Sequence, residues 1–216
     1  MTGFSPFPHI QYGFEVEAKD FHAPLFRQVH GSEVIEIASP ENRLARLENP
    51  PSADAAFTLM PGLELYVFTA DCLPVILFTE SPEGPIAVVH CGWRGAKDRI
   101  VTRTLERTGL LRGGDVHAVL GPAILGCCFE VREDFVRELQ RSGHEVEKYL
   151  ESWGGRMFFS LVEFVIQTQL ADIPPERLHT EELRCTYCSA PPLPSFRRNQ
   201  STDPRIRTWV QKNLPR

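Results

Sequence analysis

The chain has 216 residues, 42% of them hydrophobic and 24% charged, and a formal net charge of −5. That balance belongs to a folded globular protein and excludes a disordered, collagenous or membrane-spanning chain. The negative charge removes any general electrostatic attraction to nucleic acid or an anionic membrane, so neither is expected as a partner.

Short β-rich runs crowd the first half: Glu33 to Ile37, Leu63 to Thr69, Pro74 to Thr79 and Ile86 to His90. The last two are almost wholly apolar, as in strands buried on both faces. From Trp93 the period changes. Ala96, Ile100, Val101 and Leu105 share one face, Arg, Lys and Asp take the other, and Gly109 ends the expected amphipathic helix. Val116 to Leu120 reads as a strand and Val131 to Arg141 as a helix closed by Gly143. Ser160-x-x-Glu163 is a capping box ahead of a helix over Leu161 to Leu170, with Pro174 beyond its end. Ile206 to Val210 is a further strand. The pairs Pro50-Pro51 and Pro174-Pro175 and the stretch Pro191 to Pro194 punctuate elements and do not link domains. Strands come first and helices interleave later, so the expected fold is α+β: a single layered domain over 1–216 with mixed β-sheets flanked by helices. At this length such a domain buries roughly 70% of the surface its unfolded chain exposes and needs no disulfide. No G-x-G-x-x-G follows the first strand, which argues against a Rossmann fold.

Met1 to His22 lacks the basic start, apolar run and small-residue cleavage site of a secretory leader, so a cytoplasmic location is expected. There the six cysteines, Cys72, Cys91, Cys127, Cys128, Cys185 and Cys188, read as thiols, metal ligands or small core residues. Three segments carry chemistry beyond packing: Gln28-Val29-His30-Gly31, Thr69-Ala70-Asp71-Cys72-Leu73-Pro74 and Val88-Val89-His90-Cys91-Gly92-Trp93-Arg94-Gly95. Each sets a thiol or imidazole at the end of a β-rich run. His30, Cys72 and His90, with a fourth place left to water, are the ligand set of a catalytic zinc site, because an open position acidifies water to a pKa near 7. Spacing alone does not establish that site, and by itself it favours two satisfied polar histidines and a small buried cysteine.

The strings QVHG, TADCLPV and VVHCGWRG, together with Gly121-Pro122-Ala123-Ile124, Cys128-Phe129-Glu130-Val131 and Ser195-Phe196-Arg197-Arg198, resemble the YfiH-like, or laccase-domain, family of multicopper polyphenol oxidoreductases. The resemblance implies that His30, Cys72 and His90 bind one metal ion, usually zinc, with copper as the other candidate. It further implies purine nucleoside chemistry: phosphorolysis of adenosine, inosine or methylthioadenosine, and adenosine deamination. Its small-molecule partners are then a nucleoside and phosphate. Editing of peptidoglycan precursors is a further role given to some members. Copper polyphenol oxidation is the weakest reading, since only His30 and His90 of the seven histidines fall in motifs. The chain departs from the pattern in three places. No Gly-Gly-x-Ser stretch occurs in the 29 residues before His30, Cys91 stands where Ala is usual, and Asp203-Pro204 replaces the usual Gly after the late Arg pair. Substrate range is therefore expected to differ.

Two rivals stay open: a metal-free thiol hydrolase with Cys72 as nucleophile and His90 as base, and a metal-binding protein that turns nothing over. Asp71, or Asp54 in Ala53-Asp54-Ala55, is the candidate for proton transfer or for orienting a ligand histidine. Arg94, Arg197 and Arg198 are candidates to hold phosphate, with the N-terminus of the helix opened by Gly92-Trp93-Arg94-Gly95 as a further anion site. Nineteen of the 23 basic residues are Arg, a bias that lowers the weight of any one. Cys185-x-x-Cys188 is not expected to bind metal, because a four-thiolate site needs a second such pair and Cys127 and Cys128 are adjacent. His179-Thr180-Glu181 imitates a deaminase signature but lies too close to Cys185 to serve as one.

Overall fold

The computed structural model describes residues 2–3, 7–17, 24–112 and 115–213, so parts of the Met1-to-His22 stretch lie outside the described residues. The first half carries β1 (Thr2–Gly3), β2 (Ile10–Glu17), β3 (Val34–Glu36), α1 (Pro40–Glu48), β4 (Ala55–Thr58), β5 (Glu64–Thr69), β6 (Leu73–Thr79) and β7 (Ile86–Cys91). It continues into α2 (Trp93–Lys97) and α3 (Ile100–Arg107). The second half carries β8 (Val116–Leu120), β9 (Glu130–Val131), α4 (Glu133–Arg141), β10 (Leu150–Trp153), β11 (Arg156–Phe159), α5 (Leu161–Gln169), β12 (Leu178–His179), α6 (Phe196–Asn199) and β13 (Arg205–Lys212).

The strand β6 is buried along its whole length because its two faces meet different cores. Val75 and Leu77 pack with Ile100, Val101 and Leu105 of α3 and with Phe164 of α5, whereas Ile76 and Phe78 pack with Phe14, Leu65 and Val210 of the second sheet. That double burial explains the continuous apolar run, and each such side chain contributes about 1.5–3 kcal/mol. The large sheet has the order β12-β8-β6-β7-β4-β3 and is mixed: β12–β8 and β3–β4 pair parallel, the remaining neighbours antiparallel. Helices cover one face, and the antiparallel sheet β1-β2-β13-β5 covers the other. A small antiparallel sheet, β10-β11-β9, packs Val131 and Phe159 into the core on the helical face. Mixed sheets flanked by helices are the architecture the patterns predict. No helix among the described residues is long and apolar enough to cross a membrane.

The helix expected to run from Trp93 to Gly109 is two. Arg99 adopts the left-handed conformation (φ 60°) and separates α2 from α3. The side chain of Gln169, at the end of α5, reaches into the break. Its Nε2 donates to Ala96 O at 2.9 Å, and its Oε1 accepts from the N–H groups of Val101 and Thr102 at 3.0 and 3.4 Å. A residue about seventy positions away thus caps the end of one helix and the start of the next. At the expected capping box, Ser160 Oγ accepts from Glu163 N–H at 3.4 Å.

In the antiparallel sheet the buried Arg207 of β13 donates to Glu15 and Glu17 of β2 and to Glu64 of β5, at 2.8, 2.7 and 2.7 Å. Partial burial opposes ionisation of Glu15, but the Trp209 indole and Arg207 guanidinium outweigh it and hold the carboxyl below the usual carboxylate range. Lys212, also buried, donates to the carbonyls of Leu59, Pro82 and Gly84.

Replacing Gln169 by Leu strips the Val101 and Thr102 amides of α3 of their acceptor and leaves Ala96 O with the Arg99 N–H alone. The expected loss is about 2 kcal/mol, a drop of about 4–8 °C in Tm by differential scanning calorimetry. Glu15 has a folded-state pKa below its unfolded value of about 4.3, so its contribution is complete above that value and vanishes as pH falls through the folded one. Thermal melts of wild type and Glu15→Gln should therefore differ at pH 7 and converge under acid.

Candidate active site

Two loops and a strand end bring the predicted ligands together. His30 lies before β3 with φ 59°, Cys72 ends the turn between β5 and β6, and His90 is the penultimate residue of β7. β6 and β7 are antiparallel with Leu73 opposite Cys91, so the register sets Cys72 beside the end of the strand that carries His90. The ligand atoms of His30, Cys72 and His90 lie within 4.8 Å of one another.

The fully buried carboxylate of Asp54 organises this meeting. It accepts from the backbone amides of Val29, His30 and Gly31 at 3.3, 2.9 and 2.7 Å, which stabilises the left-handed turn at His30. The same carboxylate takes His90 Nδ1 at 2.8 Å, while Asp54 O accepts from His90 N–H at 2.7 Å. The imidazole is thereby fixed with Nε2 left for a ligand. Gln28 ties the loop to β5 through both ends of its amide, donating to Phe68 O at 2.7 Å and accepting from Phe68 N–H at 2.9 Å. A Cβ at Gly92 would lie 3.1 Å from both Cys72 Sγ and His30 Cδ2, and one at Gly95 would lie 2.7 Å from Gly31 O. Both glycines let α2 approach the ligand loops.

Burial opposes ionisation of Cys72, but the neighbouring His90 and hydrogen bonds from His30 and His90 bring the thiol down to about 6. Burial likewise opposes charge on His90, and Cys72 and Asp54 raise it to about 9. Each group thus favours the charged form of the other. Cys91, pushed well up by burial, is a packed core residue. The donor set fits a borderline-soft ion such as zinc: two imidazole nitrogens, one sulfur already disposed to the thiolate, and a carboxylate on the outer nitrogen of one histidine.

The triad lines a cavity of about 500 Å³, within the range of small-molecule sites. Aromatic walls come from Phe26, Phe68, Trp93, Phe129 and Phe196, and cations from Arg27, Arg197 and Arg205. Arg197 lies 5.6 Å from the Phe129 ring centroid and donates to Glu130 O, and Arg205 stacks 3.8 Å over Phe68.

Residues 12–211 match the sequence model of the family described as "Multi-copper polyphenol oxidoreductase laccase". The chain belongs to that family. A purine nucleoside phosphorylase of Aquifex aeolicus (strain VF5) is 32% identical over 191 residues, 86% of either chain. Purine nucleoside phosphorylase YfiH of Shigella flexneri is 29% identical over 175 residues, 81% of this chain and 68% of that one. The match to a purine nucleoside phosphorylase of Xylella fastidiosa (strain Temecula1) is higher, 42%, but spans 110 residues, 50% of this chain and 40% of that one. Among solved structures, the hypothetical protein YfiH of Bacillus licheniformis superposes with TM-score 0.81 at 20% identity, covering 96% of this chain and 94% of that one. YlmD of Geobacillus stearothermophilus superposes with TM-score 0.80 at 23% identity, covering 98% and 95%. At these identities the structures establish a shared mixed-sheet fold.

Other residues of this laccase-family chain fall elsewhere than the sequence suggests. Asp71 (φ 97°) borders the cavity, but its carboxylate is held by Thr186 Oγ1 and Arg197 N–H, both at 2.6 Å. It pins loops, and Asp54 is the carboxylate on His90. Arg198 is likewise committed, donating to the carbonyls of Thr186, Tyr187 and Leu193. Arg94 is exposed, stacks 4.3 Å from the Trp93 ring centroid and does not line the cavity. α2 has only five residues, so the anion site expected at its start has little helix dipole behind it. His179 hydrogen-bonds His117 at 3.0 Å. Cys185 and Cys188, not expected to bind metal, stand in a second cluster with Cys127 and Cys128. Arg27 and Arg205 were not singled out in the sequence. The one signal for them was position, Arg27 just before QVHG and Arg205 just after Asp203-Pro204.

Asp54→Asn keeps the volume but cannot accept from every amide it faces. Zinc affinity, read by competition with a chromophoric chelator, should fall about 10–100-fold.

Proposed function

We propose that this chain is a purine nucleoside phosphorylase whose site holds zinc through His30, Cys72 and His90. The carrying observation is that one cavity of nucleoside-binding size is lined by the His30–Cys72–His90 cluster, by aromatic walls and by three arginines. The relatives named purine nucleoside phosphorylase support the substrate class. Zinc in such a site supplies Lewis acidity, which favours attack by an oxygen nucleophile at neutral pH.

The chain's own groups divide the remaining work. Aromatic faces such as Phe68 and Phe129 hold the flat purine, and Arg197, Arg205 and Arg27 hold phosphate by charge-assisted hydrogen bonds. In phosphorolysis a phosphate oxygen bonds the sugar carbon as the glycosidic bond breaks, and the departing pair goes to the base nitrogen. The arginines offset the negative charge of the phosphate, a mono- or dianion at neutral pH, as it approaches. Deamination of adenosine is the second reaction we assign to this site, with Asp54 holding His90 in one tautomer. Polyphenol oxidation by several coppers is not proposed. Among the described residues only two imidazoles share a metal-binding cluster, and the second cluster is all sulfur.

A metal-free reading is favoured by one arrangement: Cys72 hydrogen-bonds His90, which hydrogen-bonds Asp54. That order of thiol, imidazole and carboxylate is also the order of a thiol hydrolase.

Adenosine and inosine with phosphate should yield adenine and hypoxanthine by chromatography, and His90→Ala should lower turnover by orders of magnitude. Removing the metal should abolish activity and restoring zinc should recover it. Activity preserved or raised after stripping, and destroyed by thiol alkylation, would instead establish the hydrolase. Arg197→Ala should raise KM for phosphate about 10–100-fold, with a smaller effect on the nucleoside.

A further inference from the structure

The loop after β8 and the loop before α6 run side by side, joined by a parallel bridge between Ala123 and Cys185. Ala123 N–H donates to Arg184 O at 3.2 Å, and Thr186 N–H donates to Ala123 O at 3.0 Å. At this seam the sulfurs of Cys127, Cys128, Cys185 and Cys188 all lie within 4.8 Å of one another. Cys127 and Cys128 converge because they sit in a turn that Cys128 N–H closes on Leu125 O at 2.9 Å.

The spacing has a chemical meaning. Cys127 Sγ and Cys188 Sγ are 3.8 Å apart. With metal–sulfur bonds of about 2.3 Å, the edge of a four-sulfur tetrahedron is about 3.8 Å, whereas a disulfide requires about 2.05 Å. A second observation lies on the backbone. The amides of Tyr187 and Cys188, two and three residues beyond Cys185, and that of Leu125 from the facing loop, hydrogen-bond the Cys185 sulfur. Cys185 is buried while Cys127 and Cys188 are exposed, so an ion has a route in from solvent.

We propose that Cys127, Cys128, Cys185 and Cys188 form a second, structural zinc site, closed by four thiolates and built from none of the residues of the His30–Cys72–His90 cluster. An all-sulfur tetrahedral set selects zinc over hard cations, and a site with no open position does not present water for chemistry. Binding releases the thiol protons and links the two loops. Those loops shape the cavity: one carries Ile124 and Phe129, and the other reaches it through Thr186, which donates to Asp71, and through the carbonyls of Thr186 and Tyr187 that hold Arg198 beside Arg197. The second ion is a staple of the cavity wall.

The test is cobalt substitution in the full chain, reduced and stripped of metal. Wild type should take up two equivalents, one giving the intense visible d–d bands and sulfur-to-metal charge transfer of a tetrathiolate centre, and zinc should displace both. Cys72→Ala should keep the tetrathiolate spectrum. Cys127→Ser/Cys188→Ser, changed at exposed positions and checked for folding by circular dichroism, should lose it and retain one equivalent less zinc. Should that double variant fail to fold, wild type decides alone. Absence of a tetrathiolate spectrum in reduced wild type overturns the proposal. So does an intact mass two hydrogens light from a Cys127–Cys188 disulfide in protein purified without oxidant.

Discussion

A carboxylate removed from water must be fully hydrogen-bonded or it destabilises the fold by several kcal/mol, and Asp54 meets that condition by gathering three loop amides and an imidazole. The constraint runs both ways. The amides that satisfy Asp54 are those of the His30 turn, so the turn cannot relax without stranding the charge. The imidazole that satisfies it is His90, so that ring cannot rotate without the same result. Asp54 stands one residue before β4, which pairs with β7, and the sheet register therefore dictates where both histidines stand. Placement of the site is a consequence of strand pairing and one buried charge.

Strands β6 and β7 were legible because burial on two faces leaves a composition that little else produces. Val116–Leu120 was legible for the same reason, being buried throughout. The break at Arg99 was not, because its cause is Gln169, and a local periodicity carries no trace of a cap donated from another helix. The site shows the same division. His30, Cys72 and His90 stand out through the motif strings, yet spacing alone left them open to an ordinary structural reading. The part played by Asp54 depends on partners 23 to 36 residues away, and that of Asp71 on partners 115 and 126 away. The adjacency of Cys127 and Cys128 argued against a ligand pair until the turn that holds them was visible.

The arginines show how composition misleads. Nineteen of them are spread along the chain, and their roles divide by geometry alone. Arg207 is consumed by three glutamates, Arg198 by carbonyls and Arg94 by the Trp93 face, while Arg197 and Arg205 reach the cavity against aromatic rings.

The position of β13 bears on how the chain acquires this structure. It enters the antiparallel sheet between β2 and β5, and Arg207 reaches carboxylates 190 and 143 residues earlier in the sequence. Until β13 arrives, β2 and β5 have no strand between them, and the core that Ile76 and Phe78 face stays uncovered. During synthesis the ribosome releases the first-half strands long before their closing partner, with apolar edges open to other chains. Closure through so distant a contact is slow, and the core beneath the antiparallel sheet stays open until residues beyond Arg205 have emerged.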